Sequence, residues 1–325
     1  MRLIKHPVLC NYYLTYRCNA SCSFCDIWEK PSPYITIDDF KNNLVDLKRL
    51  GVKVIDFTGG EPLLHRDLPQ FLALAKEMKF ITTVTTNCLL YPKTADKLKG
   101  LIDMLHFSLD SANAAIHNKM RNVECFEFAM ESIKIAKRLG ERPDIIFTVF
   151  EDNFDEIEKV YWQICVPNDL VLILNPAFSY NQINTNNLTE SQLNELKKWA
   201  KKPLVYLNEA FIQLRVDGGN DIENPVCKAG SSTIVISPNN ELVLPCYHLG
   251  MKNIPINNNL YQLHKSVVVQ QLISQEGKLK ECQSCTINCY MQPSFAVEMN
   301  KYWFLALPST LKYNVMKGTW KNIFK

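Results

Sequence analysis

The chain has 325 residues, 47% of them hydrophobic and 21% charged, so it can bury a large core as one large domain or two smaller ones. A formal net charge of +3 excludes nucleic acid as the expected partner. No run is long and apolar enough to span a bilayer, and an N-terminal stretch broken by Pro7 is no signal peptide.

The expected compartment is therefore the cytoplasm, where thiols stay reduced, and the 12 cysteines point to metal rather than disulfides. Strand-like runs, nearly continuous in apolar and β-branched residues, fall at 8–15, 52–58, 80–86, 104–109, 145–150 and 170–174. Amphipathic helices are expected between them. The first carries Ile37, Phe40, Leu44 and Leu47 on one stripe, with Thr36 and Asp39 as start signal and Gly51 as stop. Another carries Phe126, Ala129, Ile133 and Ala136 up to Gly140, and a third Phe154, Ile157, Tyr161 and Ile164. Repeated βα units imply an α/β fold with a parallel sheet and right-handed crossovers; periodicity leaves open whether the sheet curls. Beyond residue 180 the pattern breaks into a polar linker at 181–187, a helix at 189–202, and a hairpin whose strands, 233–237 and 242–244, flank Pro238-Asn239-Asn240. This reads as a smaller second domain. The expected divisions are 1–185, 186–297 and a tail at 298–325.

Cys18, Cys22 and Cys25 follow the first strand directly, spaced Cys-x3-Cys-x2-Cys. Three thiolates can hold three irons of a 4Fe–4S cluster and leave the fourth iron open to chelate the amino and carboxylate groups of S-adenosylmethionine (SAM). Zinc is the alternative, but a closed zinc site wants a fourth ligand and none lies nearby. After the second strand comes Gly59-Gly60-Glu61-Pro62, where glycines would admit a ligand to the backbone and Glu61 would accept from the methionyl ammonium. Cys10, Cys88, Cys125 and Cys165 are scattered and read as small buried hydrophobes.

Together, the cysteine triad with Phe24 before its last member, Gly59–Pro62 and the βα repeats resemble the radical SAM superfamily over roughly residues 8–180. The resemblance implies a partial (β/α)6 TIM-like barrel with the cluster near its C-terminal mouth. It implies that Phe24 lies by the adenine, that Ser108 and Asp110 contact SAM, and that Arg121 meets the SAM carboxylate. Thr86-Asn87-Cys88 resembles a Thr-Asn-Gly turn of the family in which cysteine has replaced glycine.

Cys227 and Cys246 flank the hairpin, and Cys282, Cys285 and Cys289 follow. This segment resembles the SPASM/twitch extensions of radical SAM enzymes, a small cysteine-rich α+β domain that holds auxiliary 4Fe–4S clusters. The full two-cluster version uses seven cysteines and this segment has five, so one auxiliary cluster is expected on Cys227, Cys246, Cys282 and Cys285. Cys289 is an alternative ligand, a spare thiol or a hydrogen donor. A zinc ribbon stays open, because four cysteines suit zinc equally well. The tail is aromatic and basic, with Pro308 and Gly318 dividing it into two expected helical pieces. It is either packed on the barrel or an interfacial segment contacting membrane or a lipid-linked substrate.

The expected activity is reductive cleavage of SAM to a 5′-deoxyadenosyl radical that abstracts hydrogen from a substrate, with net oxidation aided by the auxiliary cluster. A redox-neutral epimerisation or rearrangement is one alternative. A non-catalytic iron–sulfur carrier or sensor is another, although a carrier has no need of Gly59–Pro62. Expected partners are a one-electron reductant such as flavodoxin or ferredoxin, and a small-molecule, sugar, lipid or peptide substrate. With Val8 already in the first strand, no fused N-terminal peptide-recognition domain is expected.

Overall fold

The protein is described by a computed structural model that covers residues 1–179 and 188–318. The expected linker at 181–187 and Trp320, Lys321, Phe324 and Lys325 of the tail lie outside the described residues. The expected strands form as β1 (Leu9–Thr15), β2 (Val54–Gly59), β3 (Ile81–Thr86), β4 (Met104–Ser108), β5 (Asp144–Val149) and β6 (Leu172–Pro176). Each pairs in parallel with the next, and β6 pairs in parallel with a two-residue strand, β7 (Val205–Tyr206), that the sequence pattern did not signal.

Helix ends follow local chemistry. The helix Ile37–Leu50 starts where the Thr36 side chain accepts from the Asp39 amide and stops at Gly51, whose φ of 92° is the left-handed cap glycine favours. Its Phe40, Leu44 and Leu47 pack on Cys10, Tyr12 and Leu14, which point outward from β1. The third expected helix is less regular. It runs from Glu156 to Val160, passes through a π-helical turn at Tyr161–Cys165, and ends in a short turn at Val166–Asn168.

The hairpin strands β8 (Thr233–Ile236) and β9 (Glu241–Leu244) form as expected, followed by β10 (Lys252–Pro255). They do not make a separate layer. β8 pairs in parallel with β1, so one sheet runs β10-β9-β8-β1-β2-β3-β4-β5-β6-β7. It is an open, partial barrel with β7 and β10 at its edges. The concave face is filled from the C-terminal half: Tyr13 of β1 packs with Ala210, Phe211, Tyr290, Phe295 and Tyr302 in one buried cluster.

The tail departs from expectation. Lys301–Lys317 is one helix that passes through Pro308, and Gly318 caps it at φ 71°. An internal proline costs about 3 kcal/mol, which tertiary contacts offset here. Tyr302 and Tyr313 are buried, Lys301 pairs with Asp217 at 2.7 Å, and Lys317 pairs with Asp144 at 2.9 Å. Lys312 donates to the carbonyls of Ala200 and Lys202. The geometry thus supports a tail packed on the fold. Its outer side carries an exposed apolar ridge of Phe304, Leu311 and Val315.

Candidate functional site

Cys18, Cys22 and Cys25 stand on the loop that leaves the C-terminal end of β1. The loop is fastened to the end of the helix Ala114–Arg121: Ser23 N donates to Met120 O at 3.2 Å and Asn122 Nδ2 to Ser21 Oγ at 2.8 Å. Arg121 Nη1 lies 4.0 Å from Cys22 Sγ, and Asn87 Nδ2 lies 3.9 Å from Cys18 Sγ. Burial first, then the nearby charges of Glu61, Cys22 and Cys25, push the Cys18 thiol up to about 12. Thiols crowded this way ionise when a cationic centre binds, which suits the donor set to an iron–sulfur cluster. Among the described residues no three His, Cys, Asp or Glu side chains close on one point as ligands of a single ion do. A cluster asks less of them, since each thiolate meets its own iron.

Gly59 and Gly60 are needed for a reason the sequence did not disclose. A Cβ on Gly59, where φ is 144°, would stand 2.0 Å from Thr15 O, and one on Gly60 would stand 2.2 Å from Arg17 O. The close approach is made by the chain's own cysteine loop, held by Gly60 N to Thr15 O and Glu61 N to Arg17 O, each 2.9 Å. Glu61 is buried and committed internally. Its carboxylate accepts from Leu63 N at 3.0 Å, Thr86 Oγ1 at 2.9 Å and Asn87 N at 2.9 Å, and burial still raises its pKa to about 7. Pro62 opens the short turn that follows.

Asp110 and Arg121 come together as a buried pair, Nη2 to Oδ2 at 2.6 Å, while Asp110 Oδ1 accepts from Thr148 N. Phe24 lies beneath this guanidinium, 5.2 Å from its carbon, and against Phe150. Ser108 ends β4, buried, beside them in the chain. Asn87 donates to Asn19 Oδ1 at 2.8 Å, which explains its position at the cysteine loop. Cys88 is buried at φ 72°, a left-handed conformation in which glycine would be the unstrained residue. Cys10, Cys125 and Cys165 are buried as expected.

The C-terminal cysteines also converge. Cys227 is buried in the apolar cluster against which Cys246 and Cys285 pack; burial, ahead of the neighbouring thiols, raises the Cys246 thiol to about 12. Asn220, which sequence reasoning missed, ties these segments. Its Oδ1 accepts from the amides of Val226 and Cys227, and its Nδ2 donates to Gly277 O and Cys282 O. Its backbone pairs with Cys285 O and Ser284 N. The available signal was Gly218-Gly219 just before it, a turn dipeptide whose second glycine leaves no room for a Cβ against Ser284 O, 2.3 Å away.

Cys289 stands on the helix Asn288–Val297, which Asn288 pins to β6 through Asn175 Oδ1 and Pro176 O. It looks into a cavity of about 690 Å3 between the concave face of the sheet and this helix. Its thiol has open surface toward the cavity, yet protein surrounds it, and that burial raises its pKa. Cys289 Sγ lies 3.6 Å from His248 Nε2.

A profile of the Radical SAM superfamily matches residues 12–162. The antilisterial bacteriocin subtilosin biosynthesis protein AlbA of Bacillus subtilis is 26% identical over 82% of this chain, which spans 60% of that protein's length. A protein described as a probable GTP 3′,8-cyclase, of Sulfurisphaera tokodaii, is 26% identical over 89% of this chain and 94% of its own. Streptococcus suis SuiB, solved bound to S-adenosylmethionine, superposes with a TM-score of 0.64 at 17% identity, over 87% of this chain and 71% of that one. Residues 12–162 thus carry the match to the Radical SAM superfamily, and the partial barrel is the fold this chain shares with SuiB.

Proposed function

We propose that this protein is an enzyme that cleaves SAM at a 4Fe–4S cluster held by Cys18, Cys22 and Cys25. The observation that carries this reading is the cysteine loop, folded against Gly59–Pro62 with Arg121 and Asn87 at its sulfurs. When bound, cluster and SAM supply a 5′-deoxyadenosyl radical able to abstract hydrogen from an unactivated carbon. The chain's own residues position and enclose. Phe24 offers a ring for the adenine, and Arg121, already paired with Asp110, offers guanidinium hydrogens to the SAM carboxylate. Ser108 and Gly59–Pro62 complete the SAM site. The cavity on the concave face of the sheet would seat the substrate, with apolar side chains of the C-terminal helices along one wall.

Cys227, Cys246, Cys282 and Cys285 would hold an auxiliary 4Fe–4S cluster, which when bound would supply an electron acceptor for a net oxidation of the substrate. A redox-neutral outcome is the second reading, favoured by Cys289, a thiol on the cavity wall beside His248. No helix of the described residues is long and apolar enough to cross a membrane, and the cytoplasm, with a flavodoxin- or ferredoxin-like donor, suits such chemistry. The relatives' names range over bacteriocin biosynthesis, GTP cyclisation, nucleotide dehydration and haem synthesis, so the substrate class has to be argued from the cavity.

The test is to replace Cys18, Cys22 and Cys25 together with alanine. Anaerobic reconstitution should load about eight irons in the parent and about four in the variant, and the variant should release no 5′-deoxyadenosine from SAM under dithionite. Release by the folded triple variant would end this reading.

A further inference from the structure

The cavity is amphipathic, and its polar side is ordered by strand register. Asn11 of β1 lies opposite Asp56 of β2, and Asp56 opposite Thr83 of β3, so three hydrogen-bonding side chains stand in a row across the concave face. The other side is built by the C-terminal helices and is apolar, with Phe211, Phe295, Trp303, Ala306 and Leu307 among its lining residues. Among the described residues Asp56 is the only carboxylate on the cavity wall.

That carboxylate is poorly satisfied. Among the described residues it accepts a hydrogen bond from Thr83 Oγ1 at 3.3 Å, long for a hydroxyl donor. Among the described residues it has no ion pair. Lys53 also borders the cavity but is exposed and does not reach it as a salt bridge. His106 lies near, but its Nε2 is directed at Asp144 Oδ2, 3.5 Å away. Burial pushes Asp56 up to about 6, with His106 and Thr83 opposing only in part. A carboxylate half-buried on a cavity wall in this condition gains from a cation that brings both charge and N–H donors.

We infer that Asp56 is the anchor for a positively charged nitrogen of the substrate, an ammonium or guanidinium group, with the substrate's apolar remainder lying against the helical wall. The inference rests on the cavity being the substrate site of the enzyme proposed above. It assigns the substrate to amphipathic cations, whether a basic peptide side chain or an amine-bearing small molecule. Asn11, whose side chain hydrogen-bonds Tyr290, and Thr83 flank the anchor, and the Thr83 hydroxyl oxygen can accept from a further N–H.

The probes are n-butylammonium and n-butanol, nearly equal in shape and different in charge. Calorimetric titration of the reconstituted full-length protein, at matched ionic strength, should give the amine an affinity about tenfold or more above the alcohol, the range expected of a charge-assisted hydrogen bond. Asp56→Asn, which keeps shape and removes charge, should bring the two probes to parity. Equal affinities in the wild-type protein, or an amine preference that survives in Asp56→Asn, would overturn the assignment. The wild-type comparison needs no variant, so it decides even if Asp56→Asn fails to fold. Release of 5′-deoxyadenosine by the wild-type protein reports the radical reading separately: its absence alongside a clear amine preference would sink that reading and leave the anchor standing.

Discussion

Asn220 concentrates more structural consequence than any cysteine near it. It is fully buried, and its side chain satisfies two amides and two carbonyls on three different segments of the auxiliary site. Asn220→Ala would strand those groups without water, and each unsatisfied buried group costs about 1–3 kcal/mol. We expect the variant to lose about four irons on reconstitution, while keeping substrate-independent 5′-deoxyadenosine release from the Cys18 site. Retention of the full iron content would show that the cysteines alone define the auxiliary site. At this scale the sequence disclosed side chains that bind something and concealed those that bind the chain. Cys18, Cys22 and Cys25 are legible because ligand spacing is local. Asn220 and the Glu61 clamp are not, because their partners lie as far as 62 residues away in the chain. Asp56 was visible only as a lone acid in Val54-Ile55-Asp56-Phe57-Thr58, where strand alternation turns it to the opposite face from Ile55 and Phe57.

Among the elements, the terminal helix Lys301–Lys317 depends on one buried carboxylate. Asp144, at the start of β5, pairs with Lys317 and accepts from Tyr313 Oη at 2.6 Å, with His106 close by. Burial would raise its pKa, but His106, Lys317 and Tyr313 together outweigh that and hold it below the usual carboxylate range. Because the folded-state pKa is depressed, the stabilisation is present above the ordinary value of 3.8 and is lost as pH falls through the lower, folded one. Asp144→Asn should therefore cost about 3 kcal/mol at neutral pH, since it leaves Lys317 buried without its partner. The difference from wild type in denaturant midpoint should shrink in acid. A gap that stays constant down to pH 2 would mean the pair contributes nothing. The six central strands and the capped Ile37 helix were legible because covered parallel strands and helix caps leave local patterns. The helix through Pro308 was not, because packing on distant strands overrides a local breaker. Nor was the pairing of β8 with β1, since register between segments more than 200 residues apart has no periodicity to read.

For the molecule as a whole, the continuous sheet sets the unit of folding. The expected division at residue 185 separates the sequence patterns, yet β1 is paired on one side by β2 and on the other by β8. Its inward Tyr13 stacks on Tyr247 at 4.4 Å and shares a buried cluster with Phe211, Tyr290 and Phe295. A fragment of residues 1–185 would expose that aromatic surface and an unpaired edge at β1, both of which favour aggregation. It would also lose the helices that close the cavity over Asp56 and His106. We therefore expect the full-length reconstituted protein to melt in a single cooperative transition. The fragment should be aggregated, or should lack a cooperative transition and the near-ultraviolet dichroism of packed aromatics. A fragment that stays monomeric, melts cooperatively and loads about four irons on its three cysteines would show that the barrel folds without its C-terminal half. The cavity would then be an interface between two separable parts rather than the interior of one. If the fragment fails as expected, the cavity and the C-terminal cysteines are built in the same folding event, because the helix that presents Cys289 to the cavity is also the one that covers Tyr13.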